Sequence, residues 1–234
     1  SSLPSNVHVS QHPCLRAKLS QLRSKSISPR EVKSLIHEIS LIVSCEALAS
    51  SLEATDGPQV SEFTRQVKAP KRLTIHQQDE TPLGFQFPST TVQPSTMCLV
   101  PILRSGLGMV EGSSIPPPLH GLNNTPPAVQ TILPIPVPVH HLGMYREPST
   151  LDPVEYYNNL PQQVPDDQAS SSNASSLAIL VDPVIATGGT CAAAIQTLRE
   201  WGAKRIIVLA VIGAEEGVKR VAAEWFGLLG STRS

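Results

Sequence analysis

Apolar positions along this chain follow two rhythms. After Ser28, Val32, Leu35, Ile36, Ile39 and Val43 recur every three or four residues, the spacing of one helix face. Ser28-Pro29-Arg30-Glu31 stands in front of them as a capping box with proline at the first helical position. Together they predict a helix over about 29–50. Leu15, Leu19 and Leu22 predict a shorter helix before it. Elsewhere the apolar residues come in short unbroken runs, as in strands buried on both faces. Met97 to Leu103, Leu177 to Val181 and Arg205 to Ile212 are of this kind, and Val137 to Met144 is read as another strand, leading into Tyr145-Arg146. Residues 65–87 read as short strands and turns, with Thr81-Pro82-Leu83-Gly84 as one turn.

The last third carries the firmest pattern. The run at Leu177 is followed by a helical stretch from Thr190 to Trp201, with Cys191, Ile195 and Leu198 on one face and Gly202 as its stop. The Arg205 run follows, then Glu215 and Glu216 where a helix start favours negative charge. Val218, Val221, Ala222 and Trp225 give that helix its apolar stripe, and a further helix is expected over Gly106 to Gly112. Strand, helix and strand at this spacing form a right-handed crossover between parallel strands. The fold class is therefore α/β, a central mostly parallel sheet flanked by helices.

Composition narrows the picture without redrawing it. Hydrophobic residues make up 40% of the 234 and aromatic ones 4%, so the core is aliphatic. A net charge of −1 gives no global pull toward nucleic acid or an anionic membrane. Cys14, Cys45, Cys98 and Cys191 form no C-x-x-C pair, which argues against a zinc site and a disulfide scaffold and fits a reducing, cytoplasmic setting. No apolar run is long enough for a membrane span. The prolines between Pro116 and Pro138 and the segment Asp166 to Ser176 (DDQASSSNASS) interrupt one domain, residues 1–234, as insertions at about 113–139 and 164–176.

The candidate chemistry lies at Ile179 to Thr190, ILVDPVIATGGT. In a parallel sheet ligands bind beyond the carboxyl ends of the strands, which is where Asp182 to Gly189 falls. Gly188 and Gly189 let main-chain amides approach an oxyanion, and the following helix start favours a phosphate. Thr187 and Thr190 add hydroxyls. Asp182 would repel a phosphate but suits sugar hydroxyls, or a Mg2+ that the phosphates share. An acid followed by an anion cradle is a device for a sugar phosphate. Alone, the stretch is also compatible with a plain strand-to-helix turn; it is neither a Walker A loop nor a dinucleotide fingerprint.

Several segments taken in order make the pattern specific. Ile179 to Thr190 closely resembles the phosphoribosyl-diphosphate loop of the type I phosphoribosyltransferases, in the Asp-Pro-x-x-Ala-Thr-Gly-Gly form of the uracil phosphoribosyltransferase branch. Pro101 to Gly112 (PILRSGLGMVEG) is similar to that family's arginine loop, usually written Arg-Ala-Gly. Leu142 to Pro161 resembles its second arginine segment, and Val211 to Lys219 (VIGAEEGVK) its next strand and helix start. His12-Pro13 and Cys45-Glu46-Ala47 match in order and type.

The resemblance implies a type I phosphoribosyltransferase fold that moves ribose 5-phosphate from phosphoribosyl diphosphate to uracil, giving UMP and pyrophosphate with Mg2+ assisting. It implies that Arg104 and Arg146 hold the diphosphate and that Arg104 and Asp182 are catalytic. Pro183, Val184, Ile185, Ala186, Thr187, Gly188, Gly189 and Thr190 join Asp182 in binding the donor. Pro183 stands where other type I members carry a second acid, and Ser105 replaces the usual alanine, a change expected to matter little although the extra hydroxyl can alter a tight loop. The resemblance further implies a GTP effector, a homo-oligomer and pyrimidine salvage in the cytoplasm. Tyr145, Tyr156 and Tyr157 can pack near the site, but aromatic residues are more often core or interface. In the family a further strand and a glycine-rich, uracil-reading segment follow. Phe226 to Ser234 (FGLLGSTRS) has no counterpart of it, so the expectation is a complete donor half and an incomplete acceptor half. The alternative is a non-catalytic or regulatory homologue that binds the donor alone.

Overall fold

The computed structural model describes residues 2–56, 78–110, 128–150, 152–162 and 175–224. Two helices open the chain, α1 (Pro13–Leu22) and α2 (Pro29–Ser51). The Glu31 carboxylate accepts from the Ser28 N–H at 2.9 Å and the Glu31 N–H donates back to the Ser28 hydroxyl at 3.3 Å, closing the expected box. Four short strands follow: β1 (Glu53–Asp56), β2 (Gln78–Glu80), β3 (Gln86–Pro88) and β4 (Thr90–Gln93). β1 pairs antiparallel with β4, and β2 with β3. The turn before β3 is made as expected, with the Gly84 N–H donating to the Thr81 carbonyl and Gly84 at φ 82°.

The central sheet comes from β5 (Met97–Leu103), β6 (Leu142–Arg146), β7 (Pro153–Asn158), β8 (Leu177–Val181) and β10 (Arg205–Leu209). Their order is β10-β8-β5-β6-β7, parallel except for β7 at one edge. The short helices α3 (Leu107–Val110) and α4 (Ala128–Ile132) lie between β5 and β6. A second small parallel pair, β9 (Val184–Ile185) and β11 (Ile212–Gly213), sits beyond the strand ends. Helices α5 (Gly189–Glu200) and α6 (Glu215–Glu224) complete the last third.

Strand alternation splits the core in two. Cys98, Val100, Ile102, Ala178 and Leu180 face one side with Cys191, Ala194, Ile195 and Leu198 of α5 and Val221 of α6. Met97, Leu99, Leu177, Ile179 and Val181 face the other with Leu48 of α2, Met109 and Val129. Both faces of β5 and β8 are sealed, which is why these strands read as continuous apolar runs. Leu180 is fully buried, and its change to alanine would cost about 2–5 kcal/mol.

Three expectations need amendment. The run at Arg205 stops as a strand at Leu209 rather than Ile212. The Val211 and Ile212 N–H groups both donate to the Pro183 carbonyl, and Pro183 has no N–H to extend the ladder. The proline-rich stretch touches the sheet: the Leu99 N–H donates to the Pro138 carbonyl and the His140 N–H to the Leu99 carbonyl, both at 2.9 Å. Ala128, Val129, Leu133 and Val137 of that stretch are core residues. Tyr145, Tyr156 and Tyr157 are not core; about half of each is exposed on β6 and β7. Residues 113–127 and 164–174 of the expected insertions, most of the 65–87 stretch, Gly112, Trp225 and Phe226 to Ser234 lie outside the described residues.

Candidate active site

Because β6, β5 and β8 are neighbours and parallel, their carboxyl ends open on the same edge of the sheet. Arg146 is the last residue of β6, Arg104 the first after β5 and Asp182 the first after β8. The fold thus gathers residues 78 and 36 positions apart without bending any strand.

Asp182 is 5% exposed. Its N–H donates to the Leu209 carbonyl, which fixes the backbone. Its carboxylate accepts from the Ser105 hydroxyl at 2.9 Å through Oδ1 and from the Cys191 thiol at 3.4 Å through Oδ2. Burial, and then the Asp182 charge, pushes the Cys191 thiol far above its ordinary range, so it carries its proton and can donate. Ser105, expected to be a neutral replacement for alanine, is the residue that sequence reasoning undervalued. Its only signal was a hydroxyl directly after Arg104 in the arginine loop.

The turn at Ala186 to Thr190 is shaped by glycine. Gly188 has φ 77°, a left-handed conformation, and caps α5. A Cβ on Gly188 would strike the Gly217 carbonyl of α6, and one on Gly217 would strike the Ala186 carbonyl. Two glycines therefore let the backbone of α6 press against the outer side of the turn. Gly217 lies inside the matched VIGAEEGVK stretch, but nothing in its spacing marks this contact. Gly106 has a similar duty in the arginine loop, since a Cβ there would stand 2.7 Å from the Ile102 nitrogen.

The loop residues divide by role. Ile185 turns its side chain into the core and its carbonyl accepts from the Ala214 N–H, while the Val184 side chain is exposed. Pro183 is buried and its carbonyl is occupied by Val211 and Ile212. Ala186 and Thr187 are exposed, Thr190 half-buried, and Gly188 and Gly189 buried at the start of α5. Arg146 reaches the loop, with Nη2 donating to the Thr187 hydroxyl at 2.9 Å. Arg104 is exposed, follows a cis peptide, and its side chain makes no hydrogen bond or ion pair with a described residue. So the structure holds two separate pairs here, Ser105 with Asp182 and Arg146 with Thr187, while the Arg104 side chain is bonded to neither.

Among the described residues no three His, Cys, Asp or Glu side chains cluster to hold a metal ion. Asp182 is the one carboxylate among Arg104, Arg146 and the loop residues 182–190. That donor set fits a Mg2+ held mainly by substrate oxygens and water rather than by a protein cage. His140 sets its ring against the edge of Trp201 at 5.9 Å.

The sequence profile described as uracil phosphoribosyltransferase matches residues 9–75 and 123–229. A uracil phosphoribosyltransferase of Roseiflexus sp. is 34% identical over 218 residues, 93% of this chain and 81% of that protein. One from Finegoldia magna is 34% identical over 217 residues, with the same coverage of each. A solved structure of an Aquifex aeolicus protein superposes with a TM-score of 0.65 over 94% of this chain and 82% of that one, at 22% identity, which speaks for the fold. On the breadth of the profile match and these relatives, the chain belongs to the uracil phosphoribosyltransferase family.

Proposed function

We propose that this chain transfers ribose 5-phosphate from phosphoribosyl diphosphate to uracil, yielding UMP and pyrophosphate in pyrimidine salvage. The observation that supports the reading is the Arg146–Thr187 contact beside a turn that Asp182 opens, with Arg146, Arg104 and Asp182 at the carboxyl ends of three successive parallel strands, in a chain of this family. Main-chain N–H groups of the turn and the start of α5 take the 5-phosphate, where the helix dipole favours an anion. Asp182 accepts from the ribose hydroxyls. Arg146 and Arg104 hold the diphosphate; a guanidinium fork matches two phosphate oxygens at once.

The bond from the anomeric carbon to the diphosphate oxygen breaks, and its electron pair leaves with pyrophosphate. A uracil nitrogen forms the new bond to that carbon and releases its proton. Negative charge grows on the departing group, so the two arginines stabilise the transition state more than the ground state. Mg2+ arriving with the diphosphate, with Asp182 as a carboxylate to help hold it, would supply further neutralisation of that charge. GTP as effector, a homo-oligomer and cytoplasmic residence belong to the same reading and rest on the family resemblance.

The test is incubation with uracil, Mg2+ and phosphoribosyl diphosphate. UMP and pyrophosphate should form in equal amounts, and Asp182→Asn should slow them on the order of a hundredfold. Absence of product at high protein concentration would sink the enzymatic reading. Heat stabilisation by the donor without product would instead assign the chain a binding role.

A further inference from the structure

The Asp182 carboxylate is gripped from two walls of the site. One wall is the loop after β5, through Ser105; the other is the first turn of α5, through Cys191. Each carboxylate oxygen has two acceptor sites, so one donor apiece leaves one apiece for a ligand. Two neighbouring sugar hydroxyls need such a pair of free acceptors, aimed in the same direction. An unheld aspartate would have to be ordered on binding, at a cost in side-chain entropy.

We propose that Ser105 is a positioning residue for donor binding, its hydroxyl holding the Asp182 carboxylate in the orientation that receives the donor's ribose hydroxyls. The inference rests on the reading of this edge as a phosphoribosyl-diphosphate site. Ser105 supplies the shorter and stronger of the two holds, because a thiol is a weak donor. The loop around it is stiff: the Gly106 N–H donates to the Ile102 carbonyl at 2.7 Å, so the hydroxyl is presented from a tight turn. Ser105 is exposed, which leaves room for a threonine methyl.

Two measurements test it together. Solution NMR of labelled aspartate in the unliganded protein should show one Asp182 side-chain rotamer in wild type and in Ser105→Thr, and averaged rotamers in Ser105→Ala. Calorimetric titration with phosphoribosyl diphosphate and Mg2+ should show Ser105→Ala weakening the donor on the order of tenfold. Ser105→Thr should restore wild-type affinity, and the loss should vanish when Asp182 is already alanine, which leaves the hydroxyl no acceptor. An unchanged single rotamer in Ser105→Ala would overturn the positioning. An equal loss in the alanine background would do so too, since a merely structural role adds independently. If wild type shows the single rotamer but takes up no donor, the site reading falls and the donor-binding role with it, while the Ser105 hold stands as measured.

Discussion

Nη2 of Arg146 lies 2.9 Å from the hydroxyl oxygen of Thr187, tying the end of β6 to the turn before α5. β5 lies between β6 and β8, so the contact passes over the mouth of the central strand. Both partners are solvent-facing. The bond therefore has little worth as a stability device and more as a way to park a guanidinium beside an anion cradle.

Arg146→Lys keeps the charge but loses the planar fork that can bond Thr187 and a phosphate together. The expected result is a fall in kcat/KM for phosphoribosyl diphosphate of ten- to a hundredfold, corresponding to about 1.5–3 kcal/mol for a charged hydrogen bond. Melting temperature should stay near that of wild type. Steady-state kinetics with varied donor, beside a thermal melt, separate the two effects. Unchanged kinetics would show that Arg146 serves only the surface.

Much of this site was legible because its signals are local. The acid, the glycine pair and the helix start fall within ILVDPVIATGGT, and the strand before them is an unbroken apolar run whose ends matched Leu177–Val181. β6 was half visible, since Pro138 and His140 bond to β5 before the paired strand begins at Leu142. β7 was missed; PVEYYN is neither alternating nor apolar, and it becomes a strand by antiparallel pairing with β6 at the sheet edge. Ser105 and Gly217 were undervalued for a different reason. Their partners are 77 positions away for Ser105 and, for Gly217, a backbone carbonyl on another element. No spacing rule reports such contacts.

Gly217→Ala is expected to push α6 off the turn, because its Cβ would collide with the Ala186 carbonyl. Backbone on both sides leaves no flexible side chain to yield. The cost should be about 1–3 kcal/mol, the range for overpacking, with donor affinity falling alongside. Gly188→Ala adds a left-handed φ to a collision of the same kind and should be the worse of the two. Denaturant melts of both variants, with and without donor, decide this. Equal stability of Gly217→Ala and wild type would mean that α6 does not press on the turn.

The four thiols should sort by burial. Cys14 and Cys45 are exposed on α1 and α2, while Cys98 and Cys191 are buried. Burial also pushes the Cys98 thiol up, keeping it from becoming the reactive thiolate. A colorimetric thiol reagent at neutral pH should therefore titrate two groups per native chain and four in guanidinium. Mass mapping should find the early label on Cys14 and Cys45. Early label on Cys191 would place the thiol outside the core of α5 and undo its contact with Asp182.

Cys191 also gives the chain an alkaline weakness. In the folded state its thiol is raised by burial and by Asp182, whereas in the unfolded chain it ionises at about pH 8.5. A group raised on folding contributes stability in full below the unfolded value and loses it as pH climbs, because the unfolded chain then sheds a proton that the native chain keeps. Above about pH 8.5 the wild-type stability should fall more steeply than that of Cys191→Ala, by up to about 1.4 kcal/mol per pH unit for one proton. Below pH 8 the two curves should run parallel, offset by whatever the lost thiol costs in packing. Chemical denaturation between pH 7 and pH 10 measures both limbs. Parallel curves throughout would mean that the thiol ionises in the native protein as readily as in the unfolded one, and that its proton is not held for the Asp182 carboxylate.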